Sequence, residues 1–162
     1  MHDRTRHCNS SFFVETVLNY GYITGCQGGL SGLQQNTSIK LDIRLHGILE
    51  ETRQQHDLRS LLLADHHGLP VCHAGEISHT GIAAIAPELI RVGNHAARLG
   101  EYDSITCIAL ILEDSHLMVI RDVEINGTPY VLVMDTAAVP QGIKRVLNRL
   151  RDRIAEAMDA YA

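Results

Sequence analysis

The 162-residue sequence has no tryptophan, only 4% aromatic residues and four prolines, and its longest uninterrupted apolar run, residues 107–112, spans six positions. A membrane-spanning helix needs about 20 apolar residues, so we expect no membrane insertion. Residues 1–11 mix His, Arg, Asp, Asn and Ser without an apolar core, which is untypical of a secretory signal. We therefore predict a cytoplasmic protein.

The four cysteines and ten histidines match no redox or metal motif. No C-x-x-C pair occurs, and disulfide frameworks are rare in cytosolic chains. Neither H-E-x-x-H nor zinc-finger spacing is present. Four histidines fall within fourteen positions: His66, His67, His73 and His79. They could be metal ligands or exposed loop histidines, with His73 in a strand. We favour the second interpretation and predict no metal.

Motifs for nucleotide binding and nucleophilic catalysis are incomplete. Residues 25–32 are rich in glycine but lack the Lys-Ser/Thr pair of a P-loop. Ser31 has no glycine two positions later, as a nucleophile elbow requires. Asp114, Ser115 and His116 are neighbours in one turn, whereas a catalytic triad draws its members from separate elements. We therefore predict no cofactor, no catalytic residue and no enzymatic activity.

The charge balance excludes one class of partner. With 14 Lys and Arg against 19 Asp and Glu, the formal net charge is −5, which argues against a nucleic-acid binder that neutralises phosphates. Residues 101–135 hold seven acids and one arginine. The segment after residue 140 instead carries Lys144, Arg145, Arg149, Arg151 and Arg153. These stretches are either solvated surfaces or a patch that docks a partner.

Residues 1–38 differ from the rest of the chain. Five glycines lie within twelve positions there: Gly21, Gly25, Gly28, Gly29 and Gly32. Because no sustained periodicity accompanies them, we predict a flexible Gly-rich arm over 1–38 and a domain over 39–162. Four of the seven aromatic residues of the chain are in this arm, which leaves open a short docking segment.

The domain shows the order helix, two strands, helix, three strands, helix. Apolar spacing predicts helices over 38–56, 81–100 and 141–161. Short apolar runs predict strands over 58–65, 69–74, 104–112, 116–125 and 128–135. Asn126-Gly127 is a strong signal for a type I′ hairpin turn, and Pro87 should begin or kink the second helix. Strands joined by tight hairpins are antiparallel, so we predict an α+β fold.

Four segments, taken together, are similar to a known family: "LLLADHHGLPV", "IAAIAPELIRVGNHAARLG", "VEINGTPYVLVM" and "PQGIKRVLNRL". Residues 43–160 resemble the roadblock/dynein-light-chain domain. The resemblance implies a five-stranded antiparallel sheet of profilin-like outline in the order α-β-β-α-β-β-β-α. It places the central helix on one face and the terminal helices on the other. Family members are scaffolds and regulators of Ras-like GTPases, including bacterial polarity switches, and not usually enzymes.

The resemblance also implies a homodimer in which the third strands pair edge to edge and the central helices pack together. The residues suit this geometry, because residues 105–112 form a long apolar edge and small residues let a partner helix approach. Gly93 and the alanines could also seat the helix on its own sheet. The predicted interface residues are Ile85, Leu89, Gly93, Ala96, Ile105, Cys107, Ala109 and Ile111.

We therefore predict a non-catalytic homodimeric adaptor that binds and regulates a small Ras-like GTPase. The alternative is a small-molecule sensor or signalling module with a profilin-like fold, which requires a cavity lined by convergent polar groups.

Overall fold

The computed structural model describes residues 31–76, 79–113 and 116–161. The helices and strands follow in the order α1 (Ser31–Gln55), β1 (Ser60–Asp65), β2 (Pro70–Gly75), α2 (His79–Leu99), β3 (Ile108–Ile111), β4 (Leu117–Ile125), β5 (Thr128–Thr136) and α3 (Ile143–Asp159). The predicted α+β class and element order are confirmed.

The five strands form one antiparallel sheet in the order β2-β1-β5-β4-β3. β1 and β5 lie at its centre, and their side chains alternate between two buried faces. Leu61 and Leu63 of β1 point to one face, whereas Leu62 and Ala64 point to the other, and all four are fully buried. A strand that is apolar on both faces must be covered on both.

Each face of the sheet has its own apolar cluster. On one face, α1 and α3 contribute Leu45, Leu49, Leu150 and Ile154 to a cluster with β1, β4 and β5. On the other face, α2 packs through Ala83, Ala86 and Ile90. The layering implied by the resemblance, with the central helix opposite the two terminal helices, is therefore confirmed.

Local side-chain chemistry shapes both predicted hairpin turns. The Asp65 carboxylate accepts hydrogen bonds from the backbone N–H of His67 at 2.9 Å and of Leu69 at 2.8 Å, which orders the turn between β1 and β2. Asn126 and Gly127 have φ values of 52° and 76°, as a type I′ turn requires. This second turn joins β4 to β5.

Two boundaries differ from those predicted. α1 begins at Ser31, inside the segment predicted to be an arm, so only residues 1–30 of that segment lie outside the described residues. β3 covers four residues, not the nine of the predicted strand over 104–112. Only residues 108–111 have partners on β4, and without a partner the preceding residues do not form a strand.

Pro87 does not begin α2, which starts at His79 and continues through the proline to Leu99. Proline has no N–H, so the carbonyl of Ala83 loses its usual helical donor. At this place Gly68 of the β1–β2 turn approaches the helix closely. A Cβ at Gly68 would lie 2.8 Å from the Ala83 carbonyl oxygen, and the φ of Gly68 is +82°. Only glycine suits both the space and the conformation.

Candidate functional site

The edge of the sheet formed by β3 presents backbone groups without a neighbouring strand in the part of the chain that the structure describes. The N–H of Leu112 donates to the carbonyl of His116 at 2.8 Å, and the register continues with Leu110 opposite Met118. Because hydrogen-bonded positions alternate in an antiparallel ladder, Ala109 and Ile111 direct their N–H and C=O groups away from β4. We call these two residues the β3 edge.

The side chains of the β3 edge are apolar and solvent-exposed. Ile111 is 82% exposed, the highest value among the large apolar residues that the structure describes as exposed. Ala109 is exposed beside it. The alternating side chains of Ile108 and Leu110 instead pack towards the cluster under α2. An open, apolar strand edge of this kind invites pairing with a further strand.

α2 carries a second unpartnered apolar surface. Ile85 and Val92 are each 50% exposed and Leu99 is 74% exposed. Leu89 is half-buried and Ala96 is exposed between them. These five residues, which we call the α2 stripe, are spaced by four, three, four and three positions, which is the spacing of a helix-pairing seam. The stripe lies next to the buried face of the same helix. The inner apolar residues of α2 are covered by the sheet, whereas the α2 stripe is covered by nothing in the described chain.

The α2 stripe and the β3 edge belong to one region, because the second half of α2 lies directly over β3. Gly93 provides the close approach: a Cβ there would lie 2.6 Å from Ile108 Cδ1 and 3.0 Å from Ile105 Cδ1. A larger residue at this position would push the helix off the strand. Gly93 therefore seats α2 on its own sheet.

The predicted interface residues separate into outer and inner positions. Ile85, Ala96, Ala109 and Ile111 are exposed. The other four are half-buried: Leu89, Gly93, Ile105 and Cys107. Ile105 and Cys107 precede β3 rather than belonging to it.

Val92 and Leu99 of the α2 stripe are not among the predicted interface residues. Their spacing of three positions from Leu89 and Ala96 is a signal that the sequence does contain. In the sequence, however, the inner and outer positions of the helix are both apolar, so the pattern alone does not show which residues belong to the stripe.

Polar contacts hold the start of β4, the strand next to β3. The buried Asp135, at the end of β5, lies with Oδ1 3.2 Å from His116 Nδ1 and with Oδ2 3.9 Å from Arg59 Nε. The backbone N–H of Arg59 also donates to the Asp135 carbonyl at 2.9 Å. These contacts tie the start of β4 to the centre of the sheet and so fix the position of the β3–β4 hairpin.

On α2, Arg91 donates to the Glu88 carboxylate at 2.5 Å and 2.8 Å. This hydrogen bonding lowers the pKa of Glu88 below its usual value. Both side chains are more than half exposed. The pair therefore stands beside the α2 stripe as a polar border, as is common at the rim of protein interfaces.

The described part of the chain shows little of the chemistry that a metalloenzyme or a thiol enzyme needs. No group of three His, Cys, Asp or Glu side chains in it is placed to hold a metal ion. His66 and His67 are exposed, with ring centroids 3.7 Å apart. Burial raises the pKa of the Cys72 thiol to about 11, so this cysteine is protonated at neutral pH and a weak nucleophile.

The clefts are open surface features. One, of about 450 Å³, lies between α1 and α3 and is lined by Lys40, Ile43, Arg44 and Arg153, among others. Another, of about 730 Å³, lies at the amino end of α3. A ligand sensor of the kind considered above needs an enclosed pocket, and neither cleft has that form. None of the described helices is long and apolar enough to span a bilayer.

No protein-family model and no curated protein matches this sequence. Solved structures do match the fold. MglB from Myxococcus xanthus aligns with a TM-score of 0.58 at 13% identity, covering 74% of this chain and 91% of that chain. The gliding protein MglB of Thermus thermophilus gives 0.56 at 15% identity, covering 81% and 95%. A roadblock/LC7 domain from Streptomyces avermitilis gives 0.54 at 20% identity, covering 70% and 97%. The chain thus has the roadblock fold.

Proposed function

We propose that this chain is a non-catalytic homodimer that binds and regulates a small Ras-like GTPase in the cytoplasm. One observation carries the proposal: a roadblock fold that has an apolar stripe on α2 and an apolar strand edge at β3, both without cover among the described residues and adjacent where Gly93 approaches Ile108. A stable monomer rarely leaves such a surface in water. The regulatory role follows from the sequence resemblance to roadblock domains, whose members act on Ras-like GTPases.

In the proposed dimer, β3 pairs antiparallel with β3 of the partner subunit around a two-fold axis. Ala109 and Ile111 are the two residues with outward backbone groups, so the register that uses both places Ala109 opposite Ile111 of the partner subunit. Leu110 then lies opposite its own copy. This register joins the two sheets into one of ten strands, and it packs the exposed Ile111 side chain over a small alanine.

The paired helices complete the proposed interface. The two α2 stripes pack against each other on the same face of the joined sheet, and Ala96 permits a close approach of the two backbones. The result is a rigid platform with two copies of every surface element. A GTPase that binds such a platform has its nucleotide cycle altered only if the platform binds one switch conformation more tightly than another.

Disulfide trapping tests the dimer and its register. In a chain whose four native cysteines are replaced by serine, Leu110→Cys places two thiols directly across the two-fold axis, within the Cα separation of about 4.4–6.8 Å that a disulfide tolerates. We expect rapid formation of a covalent dimer on mild oxidation. Ala109→Cys is the matched control, because its copy lies diagonally across the strands. Preferential trapping of Ala109→Cys would contradict the register, and trapping of neither variant would contradict strand pairing.

The regulatory role needs a separate measurement. Ras-like GTPases that co-purify with the chain from its native host are isolated, and their GTP hydrolysis and nucleotide exchange are measured with and without the chain. We expect at least one rate to change on addition of the chain. A tight complex with both rates unchanged would reduce the protein to a scaffold, whatever the trapping experiment shows.

A further inference from the structure

A basic cleft lies on α3, on the face of the sheet opposite the α2 stripe. It begins where Gly142, with φ +70°, precedes the first turn of the helix. The cleft is lined by Gln141, Gly142, Lys144, Arg145, Asn148, Arg149 and Asp152. The first turn of α3 contains no acidic residue, although acids at this end would stabilise the helix dipole. The sequence thus places like charges where helix stability alone would favour the opposite sign.

The cations of α3 divide into paired and unpaired groups. Arg151 donates to Asp152 at 2.5 Å and Arg153 pairs with Glu51 of α1. Lys144, Arg145 and Arg149 are exposed, and none of them forms an ion pair with an acid in the described part of the chain. The unpaired group is the one that lines the cleft. Asp152, the only acid of the lining, is already engaged by Arg151.

A fourth cation lies beneath the cleft. Arg121 of β4 donates from Nη2 to Asn148 Oδ1 at 2.9 Å. Its Nη1 is buried without a hydrogen-bond partner among the described residues. Because Asn148 accepts through its oxygen, its amide NH₂ is the group left for the cleft. The site therefore offers three cations and an oriented amide donor above the half-buried Arg121, whose Nη1 has no hydrogen-bond partner among the described residues.

We propose that this cleft binds an extended acidic segment of a partner protein. Arg145 and Arg149 are one helical turn apart, about 6 Å along the axis. Carboxylates on alternate residues of an extended chain are separated by about 6.8 Å, so two of them can engage both guanidinium groups at once. Lys144 extends the cationic surface beside them.

The net charge favours a protein segment over an anionic lipid surface. The chain as a whole has a net charge of −5, which opposes its approach to a negatively charged bilayer. Because α3 and α2 cover opposite faces of the sheet, the chain can hold the acidic segment and pair its α2 stripe with a second copy at the same time. The proposal does not depend on the function proposed above.

Fluorescence anisotropy with a dye-labelled peptide of alternating glutamate and threonine tests the proposal on the full chain. We expect saturable binding that weakens with salt and is absent for a glutamine-threonine peptide. The double variant Arg145→Glu with Arg149→Glu should weaken binding by about tenfold or more, because like charges then face each other. The affinity of the neutral double variant, with Gln at both positions, should lie between those of the original chain and the Glu variant. Circular dichroism checks that each variant is folded.

The matched control is Lys40→Glu with Arg98→Glu, which changes the net charge equally at two exposed cations outside the cleft. We expect its affinity to stay within about twofold of the original, since screened distant charges contribute little. Equal losses in both double variants, or no binding of the glutamate peptide, would overturn the proposal. So would cleft-dependent binding to phosphatidylserine vesicles that the peptide cannot displace. The chain with Ile111→Lys should bind the peptide normally, so a failed dimer remains distinguishable from a failed cleft.

Discussion

The two edges of the sheet are built differently. On the β2 edge, His46 of α1 donates from Nδ1 to the backbone carbonyl of His73 at 2.8 Å. Pro70 begins the strand, and a shift in register leaves Val71 without a partner on β1, as in a β-bulge. The strand β3 has a regular register over its four residues and contains no proline or bulge.

Proline, bulges and covering helices are the devices by which proteins prevent an edge strand from pairing with another chain. β2 has a proline, a bulge and a carbonyl engaged by a side chain of α1, whereas β3 has none of these within residues 108–111. The exposed apolar side chains follow the same division, with Val71 39% exposed and Ile111 82% exposed. The comparison indicates that strand pairing is hindered at the β2 edge and left available at β3, which is the edge that the proposed dimer uses.

A lysine on each edge gives the largest expected difference. Ile111→Lys removes a large apolar side chain from the proposed interface and places a charge there, so we expect dimerisation to weaken by about 100-fold, equivalent to ~2.8 kcal/mol. Val71→Lys makes the same kind of change on the β2 edge and should leave the molar mass of the species in solution that of the dimer. Light scattering across a concentration series measures both. If the unmodified chain were a monomer at high concentration, the dimer itself would be falsified.

Much of the fold was predictable because its signals are local. The Asn126-Gly127 turn, the Asp65 turn and the amphipathic pattern of α3 each depend on a few neighbouring residues, and each prediction was correct. The length of β3 was not predictable in this way. Residues 104–107 are as suited to a strand as those that follow, but they leave the register with β4, although β4 itself continues to Ile125.

The candidate sites were only partly predictable, because they depend on contacts between elements that are distant in the sequence. Inner and outer residues of α2 are equally apolar, so only the sheet beneath distinguishes Gly93, which faces Ile108, from Ala96, which faces solvent. The basic character of α3 was visible in the sequence. The position of Arg121 beneath α3 and its hydrogen bond to Asn148 were not, because 27 residues separate the pair.

The inner and outer positions of α2 can be separated by one substitution at each. Gly93→Leu forces side-chain atoms against Ile108 and Ile105, and we expect the free energy of unfolding to decrease by about 2 kcal/mol. Ala96→Leu adds the same side chain where there is space, and it should leave unfolding nearly unchanged. Urea titrations in the Ile111→Lys background measure the fold apart from the dimer. Similar losses at both positions would show that Gly93 does not have the special packing role assigned to it.

The smallest expected effect is the loss of stability on breaking an ion pair within α1 or α2, and this loss should depend on pH. Hydrogen bonds from Arg53 and Gln54 lower the pKa of Glu50 to about 2. Arg53 also donates to the carbonyl of Leu58 at 3.2 Å, so the pair helps to fix the connection between α1 and β1. Because the folded pKa is depressed, the stabilisation is complete above about pH 4.5 and is lost as the pH decreases towards 2.

Replacing Glu50 by Gln removes this dependence on pH. We expect Glu50→Gln to unfold about 1 kcal/mol more easily than the unmodified chain at pH 7, since the pair is partly exposed to solvent. The difference should shrink as the pH approaches 2. Glu88→Gln breaks the more exposed pair beside the α2 stripe and should have a smaller effect. Urea titrations of the three proteins at several pH values measure this, and an undiminished Glu50→Gln difference at low pH would show that the carboxylate is not its source.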